Sequence, residues 1–70
     1  MANSLPKTDL TDVEAERGFA VRPTVSGRFV DLYVALIGVP TGEYHCSFEN
    51  NVEELDNLMA TLKEYRDSLL

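Results

Sequence analysis

Residues 28 to 48, RFVDLYVALIGVPTGEYHCSF, form a nearly unbroken apolar run interrupted by one turn sequence, in a chain of only 70 residues. Such a run is either a strand buried on both faces or a strand whose second face is left for something else to cover. The alternative matters here because a domain of this size hides only about 60 % of the surface its unfolded chain exposes. Small chains of this kind usually need a staple, a partner or very regular packing. Cys46 is the single cysteine and His45 the single histidine, so no disulfide can form within one chain and no zinc-ligand set exists. Self-association therefore enters as a serious expectation.

The turns divide the run. FAVRPTV, residues 19 to 25, alternates with β-branched and aromatic residues and ends at Ser26-Gly27, a hairpin signal. Residues 28 to 38 read as a second strand. Val39-Pro40-Thr41-Gly42 reads as a turn with Gly42 in the left-handed position of a bulge, and residues 43 to 49 as a third strand. A two-residue loop at Ser26-Gly27 sets Arg22 across from Asp31, an opposite-charge pair that supports the register. A bulge at Gly42 sets Leu36 across from Cys46 and Val34 across from Phe48. One face then collects Val21, Pro23, Val25, Val30, Leu32, Val34, Leu36, Tyr44, Cys46 and Phe48.

Helices flank this meander. Thr11-Asp12-Val13-Glu14 fits a capping box closed by Gly18, so residues 11 to 17 read as a short helix or as an irregular acidic arm. Asn51 caps a longer helix over residues 52 to 69, in which Val52, Leu55, Met59, Leu62, Tyr65 and Leu69 recur at three- and four-residue spacing. The expected fold is α+β: a three-stranded antiparallel meander (19–25, 28–38, 43–49) on a C-terminal helix, with residues 1 to 17 as an arm and 18 to 70 as one domain. The core is the first sheet face plus the helix stripe. The second face, with Arg22, Phe29, Asp31, Tyr33, Ala35 and Ile37, is left over. Either the arm folds back over it through Leu5, Leu10 and Val13, or a partner covers it, and the reading favours a partner.

Twelve acidic against six basic residues give a net charge of −6 and a pI near 4.5. That balance argues against phosphate neutralisation and against an anionic membrane surface. The N-terminal sequence lacks the pattern of a signal peptide, the longest apolar run is too short to span a bilayer, and one free cysteine suits a reducing cytoplasm. No nucleophile–base pair emerges. His45 and Ser47 lie about 7 Å apart on a strand, and Cys46 is expected in the core as an inert thiol. No metal or cofactor is expected, and no enzyme.

Ser26-Gly27-Arg28-Phe29, followed by Phe48 and Glu53-Glu54-Leu55, resembles DNA-binding modules of the AP2 and integrase-arm type, which read DNA with a basic sheet face. Here that face holds Glu43, Glu49 and one arginine opposite Asp31, so DNA binding does not carry over. The order also resembles a double-stranded RNA-binding domain, with Asn50-Asn51-Val52-Glu53-Glu54 standing where that family places basic residues. In topology, residues 19 to 69 resemble small antitoxins built on a partial RNase-H-like sheet. The function expected is a small acidic interaction module, an inhibitor or adaptor such as phages or bacteria use as accessory proteins. Its partner is a larger protein with a basic site, or a second copy in a homodimer; a nucleic-acid-binding module is the alternative. Candidate contact residues are Arg22, Phe29, Asp31, Tyr33 and Ile37 on the open face, and Glu53 and Glu54 on the helix.

Overall fold

The computed structural model describes residues 6 to 70, in the order β1 (Lys7–Asp9), α1 (Asp12–Arg17), β2 (Phe19–Pro23), β3 (Phe29–Val34), β4 (Thr41–Glu49) and α2 (Val52–Ser68). The α+β class holds, with four strands instead of three: the antiparallel sheet has the order β1-β4-β3-β2. The additional strand is the polar arm, whose Lys7, Thr8 and Asp9 pair with Glu43, Gly42 and Thr41. Its sequence carries no apolar alternation. What makes it a strand is the free edge of β4, whose backbone groups need partners.

The first hairpin keeps the expected register: Val21 pairs with Leu32, Arg22 with Asp31 and Pro23 with Val30. Its turn is wider than two residues. Thr24 N–H donates to the Phe29 carbonyl at 2.9 Å and Gly27 N–H to the Thr24 carbonyl at 2.8 Å, which leaves Val25 fully exposed and removes it from the expected core. The second hairpin differs more. Cys46 pairs with Leu32 and Phe48 with Val30, four residues from the expected partners. Past Val34 the ladder with β2 runs one bond further, Ala35 N–H donating to the Gly18 carbonyl at 2.8 Å, and Gly38 N–H then donates to the Ala15 carbonyl of α1 at 2.7 Å. That second bond satisfies a carbonyl in the last turn of the helix. Gly38, with φ 88°, supplies the left-handed turn residue that had been assigned to Gly42. The bulge lies instead between Leu32 and Tyr33, opposite His45, and turns Tyr44 to the face of Tyr33. The two rings meet edge to face at 6.1 Å.

The sheet curls around that second face. β1 and β2 are opposite edges of it, yet the Arg22 guanidinium on β2 donates to Thr8 Oγ1 at 3.1 Å and to the Asp9 carbonyl at 2.7 Å. Inside the curl, Leu10, Ala15 and Ala20 form the buried cluster, with Tyr33 and Ala35 packed against it. The face read as open is therefore the core, closed by the arm and by α1. Leu10 does the covering; Val13 is 53 % exposed, and Leu5 lies outside the described residues. The face read as core is the outer one. Only Val30 is buried there, and Val21, Val34 and Cys46 are exposed.

The helix caps are as expected from sequence. Thr11 N–H donates to Glu14 Oε1 at 2.9 Å while Glu14 N–H donates to Thr11 Oγ1 at 3.2 Å, and Gly18 closes α1 with φ 90°. Glu54 N–H donates to Asn51 Oδ1 at 2.8 Å at the start of α2. None of the 17 residues of α2 is buried. Among the described residues no helix is long and apolar enough to cross a membrane.

Candidate functional site

Two surfaces follow from this inversion. The first is the interior of the curl, where Arg22 is held. Its guanidinium donates to Glu14 Oε1 at 2.6 Å as well as to Thr8 and Asp9, so one side chain ties β2 to β1 and α1. The Arg22–Asp31 pairing is correct in register, but the ion-pair partner of Arg22 is Glu14. Glu14 Oε1 thus serves the capping box and the ion pair at once. Its carboxyl is pulled from an ordinary 4.5 to about 2, first by the hydrogen bond from Arg22 and then by the N–H of Thr11.

A depressed carboxylate pKa stabilises the folded state above the ordinary value and loses that contribution as pH falls through the folded one. The stabilisation is therefore full above pH 4.5 and fades between about pH 4.5 and 2. In thermal melts, the gap in melting temperature between the native chain and Glu14→Gln should be widest near pH 6 and nearly closed at pH 2. A gap that stays constant across that range would show that the Arg22 contact contributes nothing.

Of the sequence candidates, Arg22, Asp31 and Tyr33 come together on this inner face and are half-buried. There Arg22 bonds the arm and α1, and the Tyr33 ring packs on the buried cluster. Phe29 lies at the open end of the same face, 40 % exposed, with the Arg28 guanidinium 5.6 Å from its ring centre. Ile37 is 77 % exposed in the loop after β3, away from the other four. Glu53 and Glu54 sit in the first turn of α2. His45 and Cys46 are exposed neighbours on β4, and the Ser47 hydroxyl bonds the Tyr44 hydroxyl at 3.1 Å. Cys46 shares the outer face with its pairing partner Leu32, as expected, but is exposed and not part of a core. Among the described residues no three His, Cys, Asp or Glu side chains stand close enough to hold a metal ion.

The second surface is the outer one. Leu55 and Leu58 turn α2 toward the sheet and are half-buried, while Val52, Met59, Leu62, Tyr65 and Leu69 are all at least 60 % exposed. Between helix and sheet runs an open groove of about 310 Å³ lined by Phe19, Val21, Leu32, Val34, Leu58 and Leu62, all apolar. Sequence reasoning placed Val21, Leu32, Val34 and Leu62 of this lining in the core. The strands expected from sequence, one of them 11 residues long, are long enough to cover a 17-residue helix, so element length gave no warning. A contiguous apolar strip flanked by charge is what protein docking surfaces look like.

No protein-family model matches this chain, and no curated protein and no solved structure is significantly similar to it.

Proposed function

We propose that the chain is a small, acidic, non-enzymatic protein-interaction module of the inhibitor or adaptor class, docking through α2 and the outer sheet face beside it. The observation that carries this reading is the helix itself: 17 residues, an apolar stripe along it, and no residue buried. The site thus moves from the inner face, where the arm already lies, to the outer one. Glu53 and Glu54 at the head of the helix, with the net charge of −6, favour encounter with basic surfaces and act on association rate more than on final affinity.

A photo-cross-linking residue installed at Met59 tests this in the cells that make the protein, with one at Glu16 on α1 as the comparison. An adduct is expected from position 59 and not from position 16. No adduct from 59, or equal adducts from both, would overturn the docking surface.

A further inference from the structure

The α2 strip leaves its occupant open, and the charges along its edge decide between candidates; the inference rests on reading the strip as a docking surface. At 3.6 residues per turn, Asp56 and Lys63 are seven residues apart and fall in line on one edge of the strip, beside Val52 and Met59. The opposite edge carries Glu54 and Thr61 and no cation. Among the described residues neither Asp56 nor Lys63 takes part in an ion pair.

We propose that the occupant is a second copy of this chain, the two α2 helices packing antiparallel about a two-fold axis that passes between Met59 and Ala60. A two-fold axis across the helices lays the same edge of one against the same edge of the other, so that residue i meets j and j meets i. Asp56 then stands opposite Lys63 of the second copy, and Lys63 opposite its Asp56, giving two ion pairs from charges without partners in one chain. Parallel helices would bring opposite edges together, setting Asp56 against the edge of Glu54 and Thr61. Antiparallel packing also aligns the helix dipoles favourably.

The charge on the strip itself selects a second copy over a basic partner. Lys63 and Arg66 stand on it beside Met59 and Leu62 and would repel a basic surface. A larger basic partner would then meet the outward acidic surfaces of the dimer.

Sedimentation of the full chain at 1 to 100 µM should give a mass about twice 7.8 kDa at the upper end. In a Cys46→Ser background, Met59→Cys lies beside the axis and should cross-link into a covalent dimer on mild oxidation. Val52→Cys should not, because its two copies are about 22 Å apart along the helices. Lys63→Glu should raise the dissociation constant about tenfold, and adding Asp56→Lys should restore it. A monomer mass at 100 µM, Val52→Cys cross-linking as fast as Met59→Cys, or a charge swap that fails to restore affinity would each overturn the antiparallel dimer. If the chain is monomeric but position 59 still captures a protein of another mass in cells, the docking surface stands and only its occupant is wrong. Without any adduct, both readings fail.

Discussion

Leu10→Ala should lower the melting temperature by about 10–20 °C, the largest effect of any single truncation in this chain. Among the described residues only four hydrophobic ones are buried, and Leu10, 9 % exposed, is the largest of the three inside the curl. Removing a buried leucine side chain costs about 2–5 kcal/mol, and a domain of this size loses about 4–8 °C per kcal/mol. The position has a second signature. A methyl group on Gly42 would sit 2.9 Å from Leu10 Cδ2 and 3.2 Å from Tyr33 Cβ, so Gly42→Ala overpacks the same spot. The two substitutions should be non-additive, with Gly42→Ala costing less in the Leu10→Ala background than in the native chain. Additive losses in denaturant titrations would mean that Leu10 does not fill the curl.

Gly18→Ala is the second large effect, about 2–3 kcal/mol or about 10–15 °C. Gly18 adopts φ 90°, where an L side chain is strained, and an added Cβ would lie 3.1 Å from the Ala35 carbonyl oxygen and 3.2 Å from Ile37 Cγ1. The displaced strand end is the one that donates Ala35 N–H to the Gly18 carbonyl at 2.8 Å. Gly27 provides the control. Its φ is 74°, but a Cβ there meets nothing within 4 Å, so Gly27→Ala should show the conformational strain alone, about 1 kcal/mol. Equal losses at the two glycines would mean that the crossing of α1 by the loop after β3 contributes little to stability.

Much of the local structure was legible. The capping box of Thr11 and Glu14, the stop at Gly18, the Asn51 cap and the register of the first hairpin are short-range consequences of side-chain hydrogen bonding and turn stereochemistry. They need no knowledge of the rest of the chain. Element type was readable for the same reason over β2, β3, β4 and α2. The second hairpin was not, because Pro40 and Gly42 suit a tight turn locally, and what overrides them is distant: the carbonyl of Ala15 takes the N–H group of Gly38. The two sheet faces were exchanged by the same logic. Arg22, Asp31 and Tyr33 form the less apolar face of the meander, and a polar face reads as the solvent side until Leu10 and α1 are seen to cover it.

The sequence by itself determined an α+β chain whose sheet has two unequal faces and whose last helix carries one apolar stripe, because periodicity and capping are encoded within a few residues of each position. Only the tertiary structure decided which face is inside. That choice turns on residues 7 to 17, a polar segment with little apolar pattern, adding an edge strand to β4 and laying Leu10 and Ala15 into the curl. Arg22 holds that closure by bonding Thr8, Asp9 and Glu14 across the sheet. Backbone pairing at a free edge depends on which edge is free, and not on which side chains the arm carries. Once the inner face was taken by the arm, the stripe of α2 and the outer strand residues were left exposed.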